Sequence, residues 1–252
     1  MILKNKFYYF IASIYSKILN SFENYFLKNT EVTPSLLMKE GYELLNLKQK
    51  IIYNSHATSN VNVNKMLNKD IAKYSVISDI INQVFIKSKL KDVITNKTGF
   101  NYSIDFLMIY KTYSINASET GKEWYANHWH KDRPFSPNTI KVIIPLDNSI
   151  LEEDGGIEIV NLEKSKKNID NNEKNFYRMN ANLDQALVFF PNKCFHRAGN
   201  PQKQPRKQIM FQLNPSSNWR INKNIELKQF KIEPKFPLFS YLFDTYISFG
   251  TL

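Results

Sequence analysis

The spacing of apolar residues along the chain changes once, close to residue 100. Over most of the first 95 residues the apolar positions recur every three or four places, which is typical of helices with one buried face. From about residue 102 they alternate with other residues or gather in short runs, which is typical of strands. Helices followed by many short strands predict an α+β protein whose β part is a sandwich or a barrel.

Two helices stand out in the first part. One is expected to begin at Thr33-Pro34, because Thr caps a helix and Pro suits its first turn. Its apolar face would consist of Leu36, Leu37, Tyr42, Leu44 and Leu45. The other is expected from Ser75 to about Lys91, with an inward face made of Ile77, Ile80, Ile81, Val84 and Phe85.

Five stretches are predicted as strands, separated by turns or polar loops. They are Tyr102–Ser114, Thr139–Leu146, Ile157–Val160, Ala186–Phe190 and Lys207–Leu213. We find no linker that would divide the chain, so a single domain is expected. It would consist of a helical part (1–95), a strand-rich core (100–215) and a C-terminal extension (216–252).

The composition supports a folded protein that works in a reducing compartment. Of 252 residues, 42% are hydrophobic and 14% aromatic, enough for a substantial core and unlike a disordered chain. With 7 glycines and no matching motif, a glycine-rich phosphate loop is not expected. The single cysteine, Cys194, excludes an internal disulfide and zinc sites built from several cysteines, and we expect it to be a small buried side chain.

The net charge of +11 admits several partners. A basic excess suits nucleic acid, an anionic membrane surface or an acidic substrate, although a Lys-, Asn- and Ile-rich composition alone also explains it. Residues 1–28 have apolar positions near helical spacing and lysines among them, but their uncharged run is too short to span a bilayer. They are expected either to pack on the core or to lie on a membrane surface, and the apolar tail 236–243 leaves the same choice. We expect a cytoplasmic protein, with any membrane contact peripheral and at the inner face.

Three residues of the strand-rich part are of the types that bind a metal ion. His130 and Asp132 are two apart, so on an extended chain their side chains point to the same side. His196 follows the predicted strand Ala186–Phe190 after a short turn and can reach the same end of a barrel. Two imidazoles and one carboxylate form the triad that holds non-haem Fe(II) and leaves open positions. A single His in a strand is usually structural, but this combination at strand ends favours a metal site.

Arg206 is a candidate anion-binding residue. It lies ten positions beyond His196, at the start of the strand Lys207–Leu213. A guanidinium binds a carboxylate through two parallel hydrogen bonds, which an iron site with a dicarboxylate cosubstrate requires. The alternative is a surface salt bridge. His128 is interpreted as a residue behind the ligands or facing substrate, because the glutamate of a cupin metal site is missing after it.

Four stretches, spread over about residues 102–215 and in the same order as in the family, resemble the Fe(II)/2-oxoglutarate-dependent oxygenases, and within them the phytanoyl-CoA dioxygenase group. They are Asn127-His128-Trp129-His130-Lys131-Asp132; Ile144-Pro145-Leu146-Asp147; Asp154-Gly155-Gly156-Ile157-Glu158-Ile159-Val160; and Phe190-Pro191 through His196-Arg197-Ala198-Gly199-Asn200 to Arg206. The chain departs from the family at Asn161–Lys164, where Pro-Gly-Ser-His is common, and near Gln202, where a Ser is usual. The substrate of the named enzyme is therefore not carried over.

The resemblance implies a double-stranded β-helix (jelly-roll, cupin-like) core on which the N-terminal helices pack. It implies Fe(II) bound by His130, Asp132 and His196, with 2-oxoglutarate as cosubstrate, its distal carboxylate on Arg206, and O2 as oxidant. Further cosubstrate contacts are expected from the strand Tyr102–Ser114, with Lys111, Tyr110 and Thr112 as candidates.

The implied reaction is hydroxylation of a small-molecule, sugar or lipid-linked substrate, with release of succinate and CO2. The carboxylate of Asp132 argues against halogenation, because related halogenases lack it. A nucleic-acid substrate is not expected, because the additional arginine of the demethylases is missing. The alternative is a non-catalytic basic module that binds membrane or nucleic acid on a degenerate barrel.

Overall fold

A computed structural model describes residues 13–222, apart from 30, 54–57, 65–66, 115–124, 133–135, 148–154, 168, 170–172 and 203. The helices are α1 (residues 13–22, continued by a π-helical turn Glu23–Leu27), α2 (Leu36–Glu40), α3 (Tyr74–Ile81, continued by a π-helical turn Asn82–Lys87) and α4 (Leu90–Thr98). The strands are β1 (Tyr42–Asn46), β2 (Thr58–Asn64), β3 (Leu67–Ala72), β4 (Asn101–Thr112), β5 (Ile140–Pro145), β6 (Glu158–Ile159), β7 (Tyr177–Arg178), β8 (Gln185–Phe189), β9 (His196–Arg197), β10 (Arg206–Ser216) and β11 (Arg220–Ile221). The apolar tail 236–243 lies outside the described residues.

The strands form two sheets whose members are interleaved along the chain. The larger sheet has the order β1-β8-β5-β10-β4-β3-β2, with β11 beside β4, and the smaller sheet has the order β7-β6-β9. His130 extends the smaller sheet by pairing with His196 of β9. From β4 to β10 the chain therefore passes repeatedly between a four-strand ladder β4-β10-β5-β8 and the smaller sheet. This is the double-stranded β-helix that the resemblance to the oxygenases implies.

Successive side chains along each strand of the large sheet point to opposite faces, and each face contributes to a separate hydrophobic core. One face of β4, β5 and β10 packs against α3 and α4, so the predicted packing of N-terminal helices on the core is confirmed. This outer core contains Ile77, Phe85, Ile94, Ile109, Ile144, Ile209 and Phe211, among others. The opposite face looks into the space between the sheets, and this inner core contains Ile143, Ile157, Ile159, Met179, Ala181, Leu187, Phe189 and Cys194.

The expectation of a mostly helical part over residues 1–95 is wrong, because β1, β2 and β3 lie within it. The first predicted helix begins at Ser35 rather than Thr33, since the Ser35 hydroxyl accepts the Met38 N–H at 3.4 Å. It ends after five residues at Gly41, which adopts the left-handed conformation (φ 87°) that stops helices. The apolar residues beyond Gly41 then pair with β8, for example Leu44 with Leu187.

Cys194 is fully buried, as predicted, in the turn between β8 and β9. Burial raises the pKa of its thiol to about 12, although the ammonium groups of Lys131 and Lys193 act in the opposite direction. Because the thiolate is the reactive form, the native protein should resist alkylation by iodoacetamide at mildly alkaline pH. Mass spectrometry should detect one modified cysteine only after unfolding in guanidinium. Alkylation of the native protein at the rate of a free thiol would contradict this packing.

Candidate metal centre

The two histidines of the predicted triad are brought together by backbone pairing. The His130 N–H donates to the His196 carbonyl at 3.1 Å, and the His196 N–H donates to the His130 carbonyl at 2.9 Å. Directly paired residues of antiparallel strands place their side chains next to each other on the same face. The two imidazole rings accordingly lie with their centroids 4.4 Å apart.

Both imidazoles present the same ring nitrogen to the site. His130 Nδ1 lies 2.7 Å from the His128 carbonyl, and His196 Nδ1 lies 3.1 Å from the Cys194 carbonyl. A carbonyl only accepts, so each Nδ1 carries a proton, and Nε2 is the ring nitrogen that each imidazole presents to the site. Such an outer hydrogen bond is what orients histidines that bind metals.

Asp132 completes the triad from the same segment. Its Oδ1 lies 3.8 Å from His130 Nε2 and 3.5 Å from His196 Nε2, and the ligand atoms of the three residues all lie within 4.8 Å of one another. Metal–ligand bonds of about 2.0–2.2 Å put neighbouring ligand atoms of one ion roughly 3–3.5 Å apart. Side-chain adjustments of about an ångström or less would therefore close these atoms around one ion.

His130 and Asp132 have the protonation states that binding to a metal ion requires. Burial, together with the neighbouring His196 ring, lowers the pKa of His130 from 6.5 to about 4, so this imidazole is neutral near pH 7. Burial raises the pKa of the Asp132 carboxyl, but the Lys141 ammonium and the His196 ring lower it more, so its pKa lies well below the ordinary value. Metals need neutral imidazoles and ionised carboxylates as ligands.

One buried atom of the site directly supports this fit. His196 is 3% exposed, and its Nε2 has no hydrogen-bond partner among the described residues. A buried polar nitrogen without a partner costs about 1–3 kcal/mol. A metal ion at the triad would bind this nitrogen, so the residues present fit a 2-His-1-carboxylate centre.

A lysine that the sequence reasoning missed lies beside the triad. Lys141 Nζ is 2.5 Å from Asp132 Oδ2, the carboxylate oxygen that faces away from the two imidazoles. In β5 it is the single charge in the run Ile-Lys-Val-Ile-Ile-Pro, whose neighbours Ile140 and Val142 belong to the outer core. A lone charge in a strand buried on both faces points into the barrel, and this signal was available in the sequence.

Arg206 lies on the same inner face, at the start of β10. It is 4% exposed, and its Nη1 donates to the Gly199 carbonyl at 3.0 Å, three residues beyond His196. Its partner across the sheet is Thr112, and the next inward pair is Gln208 with Tyr110, whose side chains are hydrogen-bonded. Thr112 Oγ1 and Gln208 Oε1 are buried and have no hydrogen-bond partner among the described residues. These groups form a buried, cationic and polar cluster, and this cluster is the candidate cosubstrate pocket.

The structure brings Tyr110 and Thr112 to this pocket, but not Lys111. In the register of β4 and β10, Lys111 pairs with Lys207 and shares the face of Ile109, which belongs to the outer core. Its ammonium lies 5.8 Å from the centroid of the Tyr113 ring. His128 is exposed, and its backbone carbonyl is what contacts His130.

A cavity of about 280 Å³ lies elsewhere and does not contain the triad. Glu158, Arg178 and Arg197 line it, on the face of the small sheet opposite His196. Glu158 accepts from Arg178 Nε at 2.9 Å and from Arg197 Nε at 2.5 Å. These ion pairs connect three strands of the small sheet, and we assign the cluster a structural role.

The segment after Asp132 is tied to helix α1. Glu23 is fully buried, and its Oε2 accepts from Ser136 Oγ at 2.6 Å and from Asn138 Nδ2 at 3.0 Å. The Asp132 N–H donates to the Pro191 carbonyl at 3.0 Å. The N-terminal helix therefore supports the chain between Asp132 and Lys141.

No protein-family model matches the chain, and no curated protein is similar to it in sequence. Among solved structures, it is similar to HygX from Streptomyces hygroscopicus with nickel and 2-oxoglutarate bound, at 10% identity and a TM-score of 0.49, over 73% of this chain and 86% of the other. It is also similar to the non-heme alpha ketoglutarate dependent epimerase SnoN from nogalamycin biosynthesis, at 11% identity and a TM-score of 0.49, over 71% and 79% of the two chains. Because these identities and TM-scores are low, we infer the function from the side chains of this chain alone.

The contact between Lys141 and Asp132 generates a stability prediction. Lys141→Met would leave the partly buried Asp132 carboxylate without its ammonium partner, so the metal-free protein should lose about 1–3 kcal/mol of unfolding free energy. Urea unfolding in the presence of a chelator measures this loss. Lys39→Met is the control, because Lys39 is 78% exposed and lies 3.9 Å from Glu40, a contact worth about 0–1 kcal/mol. Equal stability of Lys141→Met and the parent protein would show that the contact is incidental.

Proposed function

We propose that the protein is an Fe(II)- and 2-oxoglutarate-dependent oxygenase that hydroxylates a small organic molecule. The observation that carries the proposal is the convergence of His130 Nε2, Asp132 Oδ1 and His196 Nε2 on one point at the inner face of the barrel. Two neutral imidazoles and one ionised carboxylate are the ligand set of non-haem Fe(II) centres with open positions. The buried Nε2 of His196 and the oriented Nδ1 atoms support the same assignment.

In this proposal, neighbouring groups orient each of the three metal ligands. The carbonyls of His128 and Cys194 hold the two imidazoles so that Nε2 faces the ion. Lys141 holds Asp132 Oδ2, which leaves Oδ1 for the metal and keeps the carboxylate ionised. The chemistry that iron and 2-oxoglutarate supply when bound is oxygen activation, in which the cosubstrate is converted to succinate and CO2 while the substrate is oxidised.

The proposed cosubstrate pocket is the buried polar group around Arg206. The guanidinium would bind the distal carboxylate of 2-oxoglutarate, and the Thr112 hydroxyl, its partner across the sheet, would donate a further hydrogen bond. Tyr110 is protonated at neutral pH, because burial raises the pKa of its hydroxyl, although Arg206 and Gln208 act in the opposite direction. A phenol, a hydroxyl and a guanidinium together provide donors for a carboxylate in a site closed to water.

The proposed substrate is a small molecule, a sugar or a lipid-linked compound, and nucleic acid is not proposed. The protein is proposed to be cytoplasmic, with peripheral contact to a membrane through the N-terminal helix. A non-catalytic basic module would not need two imidazoles and a carboxylate that converge on one point, and the first experiment below distinguishes that alternative.

The triad assignment predicts 2-oxoglutarate turnover that depends on Fe(II). Purified protein with Fe(II), ascorbate and oxygen should form succinate even without the substrate, because many such centres oxidise the cosubstrate slowly on their own. His130→Ala and His196→Ala should lower this rate about a hundredfold or more, since each removes a metal ligand. His128→Ala is the matched control, because the His128 side chain is exposed and the contact with His130 Nδ1 is made by the His128 backbone carbonyl. Absence of both Fe(II) binding and succinate from the folded parent protein would favour the non-catalytic module.

The Arg206 assignment predicts a specific loss of cosubstrate affinity. Arg206→Met should raise the apparent KM for 2-oxoglutarate about 10- to 100-fold, because the paired guanidinium–carboxylate hydrogen bonds are lost. Affinity for the metal alone, measured by calorimetry with Ni(II), should stay within about twofold, since Arg206 is not a ligand. Lys207→Met is the control, because Lys207 lies on the outer face, 2.8 Å from Asp70. An unchanged KM in folded Arg206→Met would assign the pocket to another ligand.

A further inference from the structure

Helix α1 carries a continuous apolar stripe on its exposed side. The stripe consists of Ile14 (44% exposed), Ile18 (61%), Phe22 (44%), Tyr25 (81%) and Phe26 (64%). The Phe26 ring contacts two others, with centroids 5.0 Å apart for Phe22 and Phe26 and 4.7 Å apart for Tyr25 and Phe26. Single exposed apolar residues are ordinary, but a contiguous apolar patch marks an interaction site.

The buried residues on the opposite side of α1 keep this stripe exposed to solvent. Leu19, Glu23 and Leu27 are buried, and Leu27 belongs to the outer core. The Glu23 carboxylate is held by the hydrogen bonds from Ser136 and Asn138. Rotating the helix to bury the stripe would expose these two leucines and break the hydrogen bonds of a buried carboxylate, so the stripe is a stable surface feature.

The exposed charges along α1 itself have one sign. Glu23 is the single acidic residue between residues 13 and 29, and it is buried, whereas Lys17 and Lys28 are exposed. The preceding residues 1–12 contain Lys4 and Lys6, no acidic residue, and further apolar positions. An apolar face with aromatic residues, flanked by lysines, is the composition of helices that lie in the interface of anionic bilayers.

We propose that α1 docks the protein on the surface of an anionic membrane through the stripe Ile14, Ile18, Phe22, Tyr25 and Phe26. The aliphatic and aromatic side chains enter the boundary between headgroups and acyl chains, and Lys17 and Lys28 contact lipid phosphates. Among the described residues no helix combines the length and apolar character needed to cross a bilayer, so the contact is a surface one. This inference does not depend on the proposed oxygenase activity.

The test is co-sedimentation of the full-length protein with phospholipid vesicles. The protein should bind vesicles that contain phosphatidylglycerol, and bind pure phosphatidylcholine vesicles about tenfold more weakly, with the difference decreasing in high salt. Ile18→Ser combined with Phe26→Ser should weaken binding to the anionic vesicles about tenfold or more while the thermal unfolding midpoint stays unchanged. Ile52→Ser is the matched control, because Ile52 is 76% exposed but lies outside the stripe.

Three outcomes would overturn the proposal. The first is absence of binding to either vesicle type, which would mean that another part of the chain or another protein covers the stripe. The second is equal binding of the double variant and the parent protein. The third is a concentration-dependent dimer in light scattering that the double variant abolishes without any vesicle binding by the parent, which would assign the stripe to a second copy. Succinate formation by the same samples reports separately on the oxygenase proposal.

Discussion

The candidate site depends on one backbone contact, the reciprocal pair of hydrogen bonds between His130 and His196. These residues are 66 positions apart in sequence, and the pairing joins the segment that carries Asp132 to the edge of the small sheet. Because the pairing sets which side chains face the interior, a slip of one residue on either strand would turn an imidazole away from the site. The hydrogen bonds from each Nδ1 to a carbonyl two residues earlier then fix the remaining freedom, the rotation of the rings.

The charges of the barrel interior are arranged around this contact. Asp132 is ionised inside the protein because Lys141 lies against one of its oxygens, and a buried charge is tolerated when it is paired. At the start of β10, Arg206 is buried together with hydroxyl and amide groups that it can share with a carboxylate ligand. On the other side of the large sheet, apolar packing of α3 and α4 keeps β4, β5 and β10 in register. The polar interior is therefore supported by an apolar outer core.

The strand-rich part could be predicted from the sequence, but much of residues 1–95 could not. β4, β5, β8 and β10 show clear alternation or buried runs, and they were predicted at nearly their observed positions. The sequence pattern assigns β1 to a helix, because Leu44 and Leu45 fit both the spacing of a helix and that of a strand. The helix ends at Gly41 because this residue adopts the left-handed conformation. Arg206, Tyr110, Lys111 and the triad are candidates from the sequence, and their roles stay proposals. The structure places Lys111 on the outer face, because the face on which a strand residue lies depends on the register between β4 and β10. Lys141 is missed although its single charge within β5 is visible in the sequence, because its contact with Asp132 arises only in the tertiary fold.

The central claim is that one site of this chain holds Fe(II) and 2-oxoglutarate together. The most direct measurement is an anaerobic titration followed by visible absorption, since a 2-oxo acid that chelates Fe(II) gives a charge-transfer band. The band should appear only when protein, Fe(II) and 2-oxoglutarate are all present, saturate at one equivalent of iron, and be absent in His196→Ala. If the folded protein gives no band and binds neither component, or if the band persists in His196→Ala, the account of the site is contradicted.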